Sequence, residues 1–298
     1  MNPTESTAKT VTAVAPAAGR KPSDDELDVC GLTHIGKLRK SNQDHFLICA
    51  LRRQMVVLNS SLPDFAERLA GTERLGFLAM VADGVGGSQR GETASRHAVE
   101  AVTAYVAHSM RVYYTADTAD DAIFAKTLEE AAVQCHAGLL EQGEGHRELQ
   151  GMATTLTLWL GVWPRAYLLQ VGDSRCYLLR DGKLTQISRD QTMAEELVQS
   201  GALSRTDAFH TPWANVLSSA LGGPQHAPVV TRMEQRWGDV GMLCSDGLTK
   251  HVPDDRIRER LSTMTSARQV CDALLQDALD AGGTDNITVL VGRAVPRA

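Results

Sequence analysis

Six aspartates sit beside polar, glycine-rich turns: Asp44, Asp83, Asp173, Asp190, Asp246 and Asp285. Most adjoin a short apolar run. MVADG ends in Asp83-Gly84, LQVGDSR carries Asp173, MLCSDG carries Asp246, and Asp285 precedes ITVLV. A carboxylate at the end of a buried strand costs several kcal/mol unless something neutralises it. Hard divalent cations prefer oxygen ligands and are the natural neutraliser of aspartates drawn from distant strand ends. The pattern predicts an acidic metal site. Asp190 lies in a loop and is expected to be a turn or helix cap.

Other chemistries fail on their key residues. Asp83-Gly84-Val85-Gly86-Gly87 lies where a dinucleotide fingerprint would, but the third glycine position is Gln89. P-loop spacing nearly fits from Gly86 to Thr93, yet Glu92 stands where the lysine belongs, and a carboxylate there repels phosphate. What remains is a turn whose glycines allow close backbone approach, with a carboxylate and a carbonyl both able to ligate a metal. Cysteine-based phosphoryl chemistry needs an arginine six positions after the cysteine. Those positions hold Gly36, Met55, Glu141, Gly182, Lys250 and Asp277. No G-x-S-x-G elbow is present. The expected nucleophile is therefore metal-activated water.

The elements that must carry these residues are readable from the pattern. Residues 1–26 are rich in Ala, Thr, Pro and Ser without periodicity and are expected to be a disordered tail. No linker interrupts 27–294, which is expected to be one catalytic domain. Leu75 to Ala82 reads as a buried strand, and Glu92–Met110 and Asp120–Glu141 as helices with one apolar face. From Thr154 the period shifts to strands at 155–160, 166–171, 176–179 and 184–187, with an Asp181-Gly182 hairpin turn between the last two. Short helices at 193–200 and 204–208, a strand at 241–245, helices at 254–261 and 267–280, and a strand at 287–291 follow. Strands joined by hairpins, with helices in separate blocks, predict an α+β fold with mainly antiparallel sheets.

Composition bounds the function. The chain has 298 residues, 43% apolar and 22% charged, which is ordinary for a globular protein. A net charge of −6 argues against a general nucleic-acid binder. No apolar run is long enough to span a membrane, and no apolar signal-peptide core is seen. Six widely spaced cysteines form no C-x-x-C pair, so a reducing cytoplasm is the expected location.

Taken in order, the aspartate segments resemble the motif series of PPM-type, metal-dependent Ser/Thr protein phosphatases (the type 2C class), in its bacterial branch. These are GKLRKSNQD (36–44), DGVGG (83–87), GMATT (151–155), GDSR (172–175), SDG (245–247) and Asp285-Asn286, with the hairpin LLRDGKLTQIS and a flap-like stretch after it. The resemblance covers residues 27–294. It implies a four-layer α-β-β-α sandwich: two central, mainly antiparallel sheets flanked by helices. It also implies two Mn²⁺ or Mg²⁺ ions in a cleft at one edge, with a weaker third ion. Asp83 would bridge the metals, the Gly84 carbonyl would ligate one, and Asp246 and Asp285 would hold the other. Asp173, with Asp246, would support the third ion. Arg39 matches the phosphate-binding arginine, and Asp44 would orient the attacking water. Implied partners are phosphorylated proteins, substrates of Ser/Thr kinases in signal transduction, acted on by a monomer without nucleic acid or membrane.

The chain departs from the family pattern in two places. Gln43 replaces the glutamate usual before the first-motif aspartate, which weakens the expected hold on metal. Val85 stands where some members carry a histidine general acid, though bacterial relatives often have an apolar residue there. The segment 50–76, basic at its start with Arg52 and Arg53, is expected to be an elaborated loop or hairpin near the site for substrate contact, and His210 a candidate substrate contact. Thr154 and Thr155 read as ordinary strand residues, and His97 and His136 as packed or solvated helix residues. A catalytically weak binding module and a small-phosphoester hydrolase remain as alternatives.

Overall fold

The computed structural model describes residues 20–52, 74–109, 121–208 and 211–297. Most of the tail, the greater part of the 50–76 segment and His210 lie outside the described residues.

The strands are β1 (Leu27–His34), β2 (Asp44–Arg52), β3 (Arg74–Val85), β4 (Ala153–Thr154), β5 (Leu156–Val162), β6 (Arg165–Val171), β7 (Arg175–Arg180), β8 (Lys183–Gln186), β9 (Val229–Glu234), β10 (Val240–Cys244) and β11 (Ile287–Ala294). The helices are α1 (Ser88–Ser109), α2 (Asp121–Gly145), α3 (Met193–Gln199), α4 (Arg205–Ala208), α5 (Asp246–Thr249), α6 (Asp254–Ser262) and α7 (Ala267–Asp280). One sheet runs β1-β11-β10-β7-β8 and the other β2-β3-β5-β6-β9, with β4 pairing β3. The pairings are antiparallel. The β7–β8 turn has φ of 51° at Asp181 and 74° at Gly182, the two left-handed residues that the Asp-Gly signal predicts.

Three apolar clusters separate four layers. Leu78, Met80 and Ala82 of β3 pack with Ala98 and Val102 of α1 and Leu128 of α2. On the other flank Met242 and Cys244 of β10 pack with Ile257 of α6 and Val270 and Leu274 of α7. Between the sheets lie Val81, Leu168, Cys176, Leu243 and Leu290. Residues two apart share one face of a strand. So β3 gives its even positions to the helices and its odd positions to the opposite sheet, which makes the order α-β-β-α.

The longest strands that escape the sequence pattern are β1, β2 and β9. Their burial is intermittent, so apolar alternation is weak. β3 also runs past its apolar stretch, because Asp83 pairs with Asp44, Gly84 with Thr154 and Val85 with Ala153. Residues 20–26, expected to belong to the tail, are pinned to the sandwich. Arg20 stacks over Trp237 at 4.9 Å and bonds Glu26, while Arg74 holds Asp24 at 2.8 Å.

Leu168 is 1% exposed in the inter-sheet layer. Leu168→Ala is expected to cost about 2–5 kcal/mol in urea unfolding, the usual range for a buried leucine truncation. A loss below about 1 kcal/mol would mean that the two sheets are not tightly packed there.

Candidate metal centre

Strand parity delivers the acidic residues to one place. Asp44 and Asp83 are direct partners across β2 and β3. Asp44 shares its strand face with Phe46 and Ile48, and Asp83 shares its face with Ala79 and Val81. Both therefore lie on the inter-sheet faces, at the same end. From the opposite sheet, Ser245 follows the last residue of β10 and Thr288 is the second of β11, each in phase with the inward Leu243 and Leu290.

Asp44 is the buried centre of this arrangement, 3% exposed. Its Oδ2 accepts hydrogen bonds from Ser245 Oγ and Thr288 Oγ1, both 2.7 Å, which tie the two sheets together. Its Oδ1 is buried with no hydrogen-bond partner, and so is Asp246 Oδ1. An orphan buried oxygen of this kind is costly, since it has left water without gaining a donor.

The backbone around Asp83 is fixed by its neighbours. Its N–H donates to Thr155 Oγ1 at 3.0 Å, and its carbonyl accepts from Thr154 Oγ1 and the Thr155 N–H, both 2.9 Å. Thr154 and Thr155 thus hold the acidic turn and are more than strand filler. Gly84 is required by packing: a Cβ there would lie 2.0 Å from the Gly91 carbonyl oxygen in α1. Gly247 is equally constrained, at 1.9 Å from the Asn286 carbonyl oxygen. The Gln43 N–H donates to Asn286 Oδ1, and the Gln43 carbonyl accepts from the Gly84 N–H.

Asp246 starts α5 and Asp285 immediately precedes Asn286 and β11. Lys250, one turn after Asp246, lies 2.6 Å from Asp246 Oδ2 and 2.8 Å from Asp285 Oδ2. Arg39 forks Asp285, with Nε at 2.7 Å from Oδ1 and an Nη at 2.9 Å from Oδ2. The guanidinium expected to meet phosphate is thus engaged with a carboxylate. Asn286, 4% exposed, donates to the carbonyls of Ile35 and Ser41 and so seats the loop carrying Arg39.

The charges reveal the strain of this gathering. Burial raises Asp44 to about 6, against the pull of the Thr288 and Ser245 hydroxyls, with Asp246 and Asp285 adding to the rise. Burial also lifts Asp83 well above the usual carboxylate range, followed by repulsion from Asp44, Asp246, Asp173 and Asp285. Asp173, in the β6–β7 turn, is pushed up to about 8 by burial, then by Asp246 and Asp190. Asp285 moves the other way: burial opposes it, but the donors Lys250 and Arg39 hold it below its ordinary value.

Asp173 does not pair with Arg175. That guanidinium is held by Asp190 through three contacts of 2.7–3.0 Å, and Gln186 Nε2 also donates to Asp190. Asp190 is therefore an ion-pair partner and not the loop cap expected from sequence. His136 stacks on His226 at 3.6 Å and accepts the Gly222 N–H, and His97 bonds Gln142. Both histidines are packed, as the helical pattern suggests.

Sequence reasoning missed Lys250, Ser245, Thr288 and the seating role of Asn286. The i,i+4 spacing of Asp246 and Lys250 on one short helix was a usable signal. Among the described residues, no three His, Cys, Asp or Glu side chains stand close enough to grip an ion as they are placed. The donor set still fits a hard divalent cation. It is all oxygen, its carboxylates repel one another, and two of their oxygens are buried without a donor.

Two back-to-back antiparallel sheets with an oxygen-only acidic cleft at one end form an architecture suited to a divalent-cation hydrolase. The chain belongs to the protein phosphatase 2C family, whose pattern matches residues 64–286. It is 38% identical over 218 residues to the serine/threonine protein phosphatase PstP of Mycobacterium tuberculosis, covering 73% of this chain and 40% of that protein. The chain thus spans about two fifths of that relative's length. It is 33% identical over 215 residues to the serine/threonine phosphatase stp of Listeria monocytogenes, covering 72% of this chain and 83% of that protein. The solved catalytic domain of PstP in complex with two manganese ions superposes with a TM-score of 0.67 at 31% identity, covering 90% of this chain and 98% of that one.

The upward shift of Asp173 has a checkable sign. A carboxyl whose folded pKa is raised costs nothing below its unfolded pKa and destabilises increasingly as pH rises to its folded value. In chelated protein, the gain in thermal midpoint from Asp173→Asn should therefore grow from about pH 4 to about pH 8 and level off above. A gain that is the same at both ends of that window would show that Asp173 is not held in a charge-disfavouring site.

Proposed function

We propose that the chain is a metal-dependent protein serine/threonine phosphatase that hydrolyses phosphoserine and phosphothreonine with activated water. The observation that carries this is the pair of orphan buried oxygens, Asp44 Oδ1 and Asp246 Oδ1, within a gathering of carboxylates from both sheets. Asp83, the Gly84 carbonyl, Asp246 and Asp285 would hold two divalent cations, Mn²⁺ or Mg²⁺. Asp173 with Asp246 serves a third, weaker one. Cations bound there would supply Lewis acidity and lower the pKa of water for attack on phosphorus.

The chain's own groups do the rest. Arg39, freed from Asp285, presents a planar donor fork to the phosphoryl oxygens. Asp44 is held by Ser245 and Thr288 through Oδ2, so Oδ1 is the oxygen left to orient the attacking water and take its proton. Val85 is solvent-exposed and has no ionisable proton, so the leaving alkoxide is protonated from solvent. The Gln43 position works through its backbone, whose bonds to Asn286 and Gly84 an amide side chain leaves intact. Gln43 alone favours the reading as a catalytically weak binding module, and the full set of other candidate ligands argues against it. All six cysteines are free thiols, which suits a reducing cytoplasm where substrates of Ser/Thr kinases are found. No described helix is long and apolar enough to cross a membrane.

A phosphothreonine peptide should release phosphate with Mn²⁺ and not with chelator, at a kcat/KM above that for p-nitrophenyl phosphate. A reversed preference would favour the small-phosphoester hydrolase. Asp83→Asn should lower turnover by about 10²-fold or more, the scale of losing one key electrostatic group. Equal activity would remove Asp83 from the site. Lys250 holds the two carboxylates that the metal needs, so Lys250→Met should lower the Mn²⁺ concentration for half-maximal binding in calorimetry. A rise in that concentration would make Lys250 a supporter of the metal and not its competitor.

A further inference from the structure

The space between the sheets is filled at one end only. Near the acidic residues it is closed by Val81, Leu168, Cys176, Leu243 and Leu290. Toward the opposite end, the inward-facing positions of three strands carry glycine: Gly161 in β5, Gly241 in β10 and Gly292 in β11. A Cβ on Gly241 would meet nothing closer than 3.9 Å, so its missing side chain leaves open space and is not demanded by a neighbour. The result is a cleft of about 130 Å³, lined by apolar surface that includes Phe77, Ala79, Trp159 and Leu178. A cavity of about 150 Å³ lined by apolar side chains takes a benzene ring. The size suits a single ring.

One corner of the cleft is polar. The position a Gly161 Cβ would occupy is 3.3 Å from Trp159 Nε1 and 3.2 Å from the Gln235 amide. Gln235 is already committed, since its Nε2 donates to the Arg165 carbonyl at 2.7 Å. The Trp159 indole N–H has no acceptor among the described residues. The cleft's cations are Lys21, Arg74, Arg236 and Arg293, against one acid, Asp239. Asp239 is taken by Arg180 at 2.6 and 2.8 Å. Arg74 is held by Asp24, Arg293 by Asp28, and Lys21 donates to the Arg74 carbonyl. Only the Arg236 guanidinium lacks a partner among the described residues.

We propose that this cleft is a second binding site, remote from the acidic centre, for a small aryl carboxylate. The ring enters the apolar space left by Gly241, and the carboxylate accepts from Trp159 Nε1–H and pairs with Arg236. The exposed Arg236 guanidinium at the rim of the cleft and the Trp159 indole N–H at its polar corner offer an anion charge-assisted hydrogen bonds that a neutral isostere lacks. The site does not depend on the phosphatase reading, because none of its residues belongs to the acidic centre.

The test titrates phenylacetate into the full chain, followed by calorimetry and by the indole N–H signals in ¹H–¹⁵N spectra, with the Trp159 signal assigned through Trp159→Phe. The expected result is saturable one-to-one binding that shifts the Trp159 signal, with phenylacetamide about tenfold weaker, the scale of one charge-assisted hydrogen bond. Arg236→Gln should erase the preference for the acid. Gly241→Val, which fills the cleft, should abolish binding. No saturable shift of the Trp159 signal, equal binding of acid and amide, or undiminished binding by folded Gly241→Val would each overturn the proposal. Should Gly241→Val fail to fold, the wild-type indole shift and the Arg236→Gln comparison decide it alone.

Discussion

The interaction on which the rest depends is the pair of hydroxyl bonds that Asp44 accepts from Ser245 and Thr288. They cross from one sheet to the other at an end where carboxylates enter the inter-sheet layer in phase with its apolar residues. A strand offers alternate residues to alternate faces, so the register that packs Phe46 and Ile48 inward also turns Asp44 inward. The same parity brings in Asp83 opposite it. A one-residue slip of either strand would bury the wrong face and disperse the acidic centre, so core packing and site geometry are set by one register.

The glycines follow from that closeness. Gly84 meets the first turn of α1 and Gly247 meets the start of β11, each with no room for a Cβ. They let a helix and a strand begin within contact distance of the acidic turns. Asn286 completes the frame by holding the loop at 35–43, which brings Arg39 from a distant part of the chain to Asp285.

Much of this was legible in the sequence, and the limits have physical causes. Asp83, Asp246 and Asp285 announced themselves because each abuts an apolar strand. The Asp181-Gly182 turn could be read because its left-handed residues demand special types. β9 was unreadable because it is an edge strand whose residues are mostly exposed or half-buried, leaving no alternation to detect. Asp190 was misjudged because its partner, Arg175, is fifteen residues away and reaches it only through the β7–β8 fold-back. Ser245 and Thr288 are small hydroxyl residues in apolar strands. Such residues acquire meaning only when a carboxylate from the other sheet is placed against them.

The ammonium of Lys250 between Asp246 and Asp285 gives the acidic cleft an internal counterion. This ammonium offsets part of the repulsion at Asp246 and Asp285, while Asp83 is left facing the other carboxylates. On the metal reading proposed above, an incoming cation would displace a tethered single charge. Such a counterion would favour ions of higher charge density over sodium and potassium without any cage sized to exclude them.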